Sequence, residues 1–193
     1  MKRLRLPCAE LAPVRRLAAG ALVLLLSAAG GSLAAQTAAP PPAPGATGQP
    51  LPRFVSLKSD RVNLRQGPGT DYPATWVFRR AGLPVEIVKE FENWRQVRDA
   101  EGTTGWVLAA ALSGRRTALV LPWQVKPGAP VPDSVALRSD DRESAGPVAY
   151  IEAGVLANII GCDGKWCRVS VGGYRGYIEQ AKLWGAYPGE EIK

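Results

Sequence analysis

The stretch Val62-Asn63-Leu64-Arg65 returns about 72 residues later as Val135-Ala136-Leu137-Arg138, so one unit is written twice in the chain. Four further segments recur at nearly the same spacing: Gly82 as Gly154, Trp94-x-x-Val97 as Trp166-x-x-Val169, Gly105-Trp106-Val107 as Gly176-Tyr177-Ile178, and Leu112 as Leu183. An internal repeat constrains the architecture before any other feature does. We therefore expect two copies of one small domain, in residues 53–121 and 122–193.

Each copy is rich in strand signals and poor in helix signals. In the first copy, residues 85–91 and 94–98 are β-branched and aromatic runs joined by a tight turn at Glu92-Asn93. In the second, Gly172-Gly173 is a strong hairpin signal. Short stretches after Val107 and Glu179 are typical of a single helical turn. The pattern predicts an all-β fold, either a small antiparallel barrel or a tight sandwich in each copy.

One strand is hard to assign to either copy. Residues 117–121 form a good strand pattern but have no counterpart after Leu183. We expect this strand to close the first barrel, with a linker following it. Trp123 and Val125 in that linker indicate that it packs against something, so a rigid two-barrel unit and two loosely joined barrels are both open.

The first 35 residues resemble an export signal in their layout. Five basic residues precede or border an apolar run centred on residues 23–26, and small residues follow at 32–35. An uncleaved membrane anchor is the rival interpretation, but the run is short for a span of about 20 residues. We favour a cleaved signal peptide over residues 1–35, no stable membrane anchor afterwards, and a periplasmic or secreted protein.

The charge of the chain depends on this segment. Residues 1–35 hold five of the 24 basic residues and one of the 17 acidic residues, so the net charge falls from +7 to +3 without them. A charge of +3 is low for a nucleic-acid-binding protein. Residues 36–52 follow, with six prolines and one large apolar side chain, Leu51, and their composition predicts a linker.

The loop after the first repeat stretch carries a recognisable motif. Asn63-Leu64-Arg65-x-Gly67-Pro68-Gly69-Thr70-x-Tyr72-Pro73 is followed by Gly82-x-Pro84-Val85, Trp94-x-x-Val97 and Gly105-Trp106-Val107. Together these residues resemble the bacterial SH3 (SH3b) domain, and the tandem arrangement is similar to small exported SH3-like proteins of Gram-negative bacteria. The resemblance covers residues 53–193. It implies two five-stranded barrels and a non-enzymatic binding role.

The residue types argue against catalysis. The chain has no histidine, which removes the usual general base and the commonest metal ligand. No pair of carboxylates stands at a spacing that places both in one cleft. We therefore expect no enzyme activity, no catalytic residues, no cofactor and no metal site.

Cys162 and Cys167 flank a predicted hairpin corner, Asp163-Gly164-Lys165-Trp166. A corner of this kind can bring two side chains face to face, and export places them in an oxidising compartment. We expect a structural disulfide unique to the second copy, since the equivalent residues in the first are Glu90 and Arg95. A redox pair is the alternative, although the spacing differs from the C-x-x-C of thiol oxidoreductases.

Candidate ligand-binding residues cluster around the long loop of the first copy. In SH3-like barrels this loop and a neighbouring turn flank the ligand surface, and the corresponding residues are Arg65, Asp71, Tyr72, Asn93 and Trp94. The repeated aromatic pairs, Trp94 with Trp166 and Trp106 with Tyr177, are also typical of barrel core. The residues thus predict a groove that orients a peptide or sugar against aromatic faces.

Three functional hypotheses follow. The first is a binding module that recognises peptidoglycan, through its peptide or its glycan. The second is an adaptor for an envelope protein or a modulator of an envelope enzyme. The third is a thiol redox protein. The sequence leaves the oligomeric state open.

Overall fold

The computed structural model describes residues 43–121 and 134–193. The predicted signal peptide, residues 36–42 of the predicted linker and residues 122–133 lie outside these ranges. Within them, no helix is long and apolar enough to cross a membrane. The described residues form two large antiparallel sheets, one for each copy, and a separate two-stranded hairpin, with no α-helix, so the predicted all-β fold of two tandem SH3-like domains is confirmed.

The first sheet contains seven strands in the order β5-β4-β8-β7-β6-β3-β9. Their bounds are β3 Arg53–Leu57, β4 Val62–Arg65, β5 Ala74–Phe78, β6 Pro84–Phe91, β7 Trp94–Arg98, β8 Thr104–Leu108 and β9 Leu112–Ser113. A short 3-10 turn, Ala109–Ala111, separates the last two, where the sequence predicts a helical turn. The sheet curls into a barrel that does not close, because β5 and β9 lie at opposite ends of the strand order.

The second sheet has the same plan. Its path runs β12-β11-β15-β14-β13-β10-β16, and β17 also pairs with β13. The bounds are β10 Thr117–Val120, β11 Ser134–Arg138, β12 Pro147–Glu152, β13 Leu156–Asp163, β14 Trp166–Val171, β15 Tyr174–Glu179, β16 Leu183–Trp184 and β17 Glu191–Ile192. A 3-10 turn at Gln180–Lys182 matches the one in the first barrel.

Alternation along the strands fills each barrel with aliphatic side chains. In β4, Val62 and Leu64 are buried while Asn63 is exposed, as the period of a half-buried strand requires. Gly105 on the neighbouring strand is needed for this packing, since a Cβ there would lie 2.5 Å from Leu64 Cγ. Leu137 and Gly176 repeat the arrangement in the second barrel.

The prediction that residues 117–121 close the first barrel is wrong. Strand β10 pairs with β13, with Thr117 opposite Asn158, and with β16, with Leu119 opposite Trp184. Ala118 and Val120 are fully buried in the second core. The first sheet is already completed by β9 against β3. In the second sheet β10 lies between β13 and β16, in the place that β3 has between β6 and β9, so it opens the second barrel instead.

Part of the predicted linker is folded against the first barrel. Residues Ala43–Pro44 (β1) and Pro50–Leu51 (β2) form a two-stranded hairpin. At its tip, Thr47 donates from its backbone N to Glu90 Oε2 at 2.8 Å and from its hydroxyl to both carboxylate oxygens at 2.9 Å. The proline-rich composition predicted a linker because it considers this segment alone. It could not reveal the hydrogen bonds from Thr47 to Glu90, which lies 43 residues away in the sequence.

The two barrels pack against each other in one compact unit. Phe54 of the first barrel contacts the rings of Trp184 and Tyr187, at centroid distances of 5.0 and 4.7 Å. Tyr187 Oη donates to Glu86 Oε1 at 2.9 Å, and Thr117 Oγ1 donates to the carbonyl of Gly82 at 2.7 Å. In the structure the two barrels are therefore packed together rather than separated.

The predicted disulfide is present. Cys162 and Cys167 are directly opposite each other on β13 and β14, and their sulfur atoms are bonded. Both side chains are buried. The hairpin therefore brings the two thiols together as the sequence predicts.

Candidate functional site

The loop between β4 and β5 is held in shape by Arg65. Its Nη1 donates to the carbonyl of Thr70 at 2.9 Å and to the carbonyl of Tyr72 at 2.6 Å. Gln66 N also donates to the carbonyl of Pro73 at 3.1 Å, which closes the base of the loop. The Nη1 group of Arg65 thus stabilises the loop by donating two hydrogen bonds to its backbone.

The glycines of the loop make room for an aromatic ring. Tyr72 folds back over Gly67 and Gly69, and a Cβ on Gly67 would overlap the Tyr72 ring. A Cβ on Gly69 would lie 3.2 Å from Tyr72 Cδ2, which is also tight. The two glycines therefore allow the Tyr72 ring to pack directly on the loop backbone. The ring remains half exposed to solvent.

Beside this loop lies a shallow depression of about 210 Å³. Its lining residues are Arg61, Val62, Asn63, Arg65, Thr70, Trp94, Leu108 and Ala111. Trp94 and Leu108 stand directly opposite each other on β7 and β8. Trp94 is buried to 8% exposure, whereas Leu108 keeps 43% of its surface exposed, so Leu108 presents the apolar side chain.

The structure brings together some of the predicted groove residues and separates others. Arg65 and Trp94 line the depression, while Asp71, Tyr72 and Asn93 are not among its lining residues. Asn93 lies in the β6–β7 turn, where its carbonyl accepts a hydrogen bond from Ala109 N at 2.8 Å. Thr70 and Leu108 were missed by the sequence analysis. Leu108 could have been found, because it follows buried Val107 and must point to the opposite face of the strand.

In the second barrel an arginine also stabilises the equivalent loop, but the residues beside that loop are charged rather than apolar. Arg138 Nη1 donates to the carbonyl of Ala145 at 2.8 Å, as Arg65 does in the first loop. The residue opposite Trp166 is Glu179, in the place that Leu108 takes opposite Trp94. Glu179 forms an ion pair with Lys182 at 2.6 Å. The apolar patch of the first barrel is therefore replaced by charges in the second.

The acidic and cysteine side chains of the described residues are among the groups that could bind a metal ion. No group of three or more acidic or cysteine side chains is arranged to hold a metal ion there. The pKa of the exposed carboxylate of Asp163 is lowered by hydrogen bonds from the backbone N–H groups of Trp166 and Lys165. That interaction caps the disulfide hairpin, so the arrangement serves structure.

Two stretches of the chain, residues 58–114 and 131–185, match the model of the bacterial SH3 domain. Together they make up more than half of the sequence, so the protein belongs to the bacterial SH3 domain family and carries two copies in tandem. Domains of this family are binding modules, and the matched family is not catalytic.

Two solved structures from Trichomonas vaginalis, NlpC2 and NlpC1, are similar to the chain, each at 17% sequence identity and a TM-score of 0.30. The similarity covers 69% and 68% of this chain, and 48% and 45% of theirs. The chain thus spans about half the length of these solved structures. No curated protein matches it.

Proposed function

We propose that the protein is a non-enzymatic binding module of the cell envelope that recognises peptidoglycan, through its peptide or its glycan, with the first barrel. It acts in the periplasm or outside the cell after removal of residues 1–35. The observation that carries the proposal is the depression lined by Arg65, Thr70, Trp94 and Leu108. It combines an apolar face with polar groups on a braced loop, which suits docking of a small peptide or sugar unit.

The comparison between the two barrels supports a site in the first. Both barrels have a braced loop of the same length, yet only the first places an exposed leucine opposite its buried tryptophan. Covering an exposed apolar side chain with a ligand makes the free energy of binding more favourable. Covering the Glu179–Lys182 ion pair would make it less favourable, because the two charges would have to be desolvated. The first barrel is therefore the better ligand surface, and the second supports it.

Cosedimentation with purified peptidoglycan tests this function. The protein without residues 1–35 is incubated with insoluble peptidoglycan at low ionic strength, and the pellet and supernatant are compared. We expect the protein in the pellet, released by soluble peptidoglycan fragments. Full recovery in the supernatant at low salt would overturn the proposal and leave the adaptor hypothesis. Crosslinking in the envelope, with identification of the captured protein, is the test of that alternative.

A further inference from the structure

A second surface of the first barrel, distinct from the depression, lies along the edge strand β5. In the described residues this strand pairs with β4 alone, so its outer edge is free. Ala74, Thr75 and Trp76 are all exposed. A free edge presents unpaired backbone N–H and C=O groups, which form a template for another strand.

Next to this edge is a groove of about 700 Å³. One side is β5 and the other is the start of β6, with Leu83, Pro84 and Val85. Leu119 of β10 also lines it, so the second barrel contributes to the same groove. The groove therefore depends on the packing of both barrels.

Trp76 is the main apolar side chain of the groove. It is directly opposite Leu64, so the two share one face of the sheet. Leu64 is fully buried, but Trp76 keeps 59% of its surface exposed. The equivalent residue in the second barrel is Ala149, opposite Leu137, which shows that the fold does not need a tryptophan here. Trp76 shares the groove with Val77, Leu83 and Leu119. Aromatic residues are enriched at protein–protein interfaces.

Two acidic residues lie on the rim of the same groove. Asp99 and Glu101 belong to the β7–β8 turn, where Asp99 Oδ1 accepts hydrogen bonds from the backbone N of Glu101 at 3.0 Å and of Thr103 at 2.8 Å. Neither carboxylate forms an ion pair within residues 43–121 and 134–193. Arg79, just beyond the end of β5, also lines the groove, so one positive and two negative side chains leave a net charge of −1. Because both carboxylates belong to the β7–β8 turn, the groove offers negative charge to a cationic group at that turn.

We propose that β5 and this groove bind an extended segment of a partner protein by strand addition, with an apolar side chain on Trp76 and a lysine or arginine beside Asp99 and Glu101. An extended chain is the ligand that can satisfy the free backbone edge and fill an elongated groove together. This surface is separate from the depression beside the Arg65 loop, so the first barrel can hold a wall ligand and a protein segment independently.

Fluorescence polarisation with labelled octapeptides tests the proposal on the purified protein. The first probe alternates valine and threonine around one central lysine. The second replaces lysine with glutamate, and the third carries N-methyl groups on alternate backbone nitrogens. We expect binding of the lysine probe, weaker binding of the glutamate probe, and loss of binding for the N-methylated probe because it cannot pair with the edge. Equal affinity for all three, or no binding by any, would overturn the proposal.

Matched variants locate the site. Trp76→Ala gives β5 the residue that the second barrel carries, so we expect the thermal unfolding midpoint to stay unchanged while affinity for the lysine probe falls about tenfold, as for a central anchor residue. Tyr150→Ala, on the edge strand of the second barrel, is the control and should bind as the parent does. Unchanged affinity in Trp76→Ala would overturn the assignment.

The same variants test whether a second copy of the protein fills the groove, and whether the groove is independent of peptidoglycan binding. Sedimentation velocity over a range of protein concentrations shows whether a second copy fills the groove. A dimer that Trp76→Ala abolishes would overturn the partner-segment proposal. Cosedimentation with peptidoglycan should be the same for Trp76→Ala and the parent protein, so failure of either function leaves the other standing.

Discussion

At the scale of single residues, Glu90 is the most informative side chain of the first barrel. Its carboxylate is 1% exposed and accepts from Arg53 at 2.6 Å, while Arg95 lies at 3.3 Å. Burial alone would raise its pKa, but the hydrogen bonds from Arg53 and Thr47 and the charge of Arg53 lower it from 4.5 to about 2. Glu90 thus joins the N-terminal hairpin, strand β3 and strand β7 through one charged group.

Acid should weaken this junction in a defined range. Because the folded pKa of Glu90 is below its unfolded value, its contribution is complete above pH 4.5 and is lost as the pH falls towards about 2. We expect the urea midpoint of the protein to fall across this range. In Glu90→Gln the fall should be smaller, and an identical pH profile in both proteins would contradict this role.

Glu90→Gln should also lower stability at neutral pH. The substitution leaves the guanidinium groups of Arg53 and Arg95 without their buried anion, and hydrogen bonds to charged groups contribute about 1.5–3 kcal/mol each. We expect the free energy of unfolding to fall by about 2 kcal/mol or more. Glu92→Gln, an exposed neighbour without an ion pair in the described residues, is the control and should change little.

The residue scale also shows what the sequence could and could not reveal. The Gly-Pro-Gly loop, its arginine and the cysteine pair were predictable, because turn chemistry and hairpin spacing are local. The exposure of Trp76 was not, since it depends on the barrel failing to close beyond β5. The role of Thr47 was equally hidden, because its partner Glu90 lies far away in the sequence.

At the scale of elements, one position of the β-ladder carries different chemistry in the two barrels. Glu90 is opposite Arg95 in the first, and Cys162 is opposite Cys167 in the second. An ion pair in one barrel and a disulfide in the other thus link the same two strands. The strand that the sequence analysis misplaced, β10, takes the place in the second sheet that β3 takes in the first. Leu57 pairs with Leu112 as Val120 pairs with Leu183, an offset of 63 residues (120 minus 57), so the repeat spacing of about 72 residues did not reveal the match.

Removal of the disulfide should destabilise the second barrel modestly. For so short a loop, chain entropy predicts a loss of about 2 kcal/mol. Alanine at both Cys162 and Cys167 avoids placing unpaired hydroxyl groups in the core, and urea unfolding of this variant measures the change. The binding of peptidoglycan under native conditions should persist, because the depression lies in the first barrel. Loss of that binding in a folded variant would contradict the division between the barrels.

At the scale of the whole molecule, the two barrels are joined by apolar packing as well as by polar bonds. Phe54 is buried against Trp184 and Tyr187, and Arg98 lies 5.9 Å from the centre of the Trp184 ring. Tyr187 donates to buried Glu86, and burial together with that hydrogen bond raises the pKa of the tyrosine. The sequence left this arrangement open because Trp184 stands where the first copy has Ser113, and Tyr187 follows the last repeated residue, Leu183.

Phe54→Ala should uncouple the two barrels. Truncation of a buried phenylalanine costs about 3–5 kcal/mol, here at the contact between the barrels. We expect the parent protein to unfold in a single calorimetric transition and the variant to show two. A single transition at a lower temperature would mean that other contacts maintain the coupling.

The central claim is that the first barrel binds peptidoglycan at the depression beside the Arg65 loop. The most direct measurement is a cosedimentation isotherm with purified peptidoglycan for Leu108→Glu, which gives the first barrel the residue found opposite Trp166 in the second. Tyr174→Ala, an exposed aromatic of the second barrel, is the control. We predict about tenfold weaker binding for Leu108→Glu, since a carboxylate must be desolvated there, and no change for Tyr174→Ala. Equal binding by the parent protein and Leu108→Glu would contradict the claim.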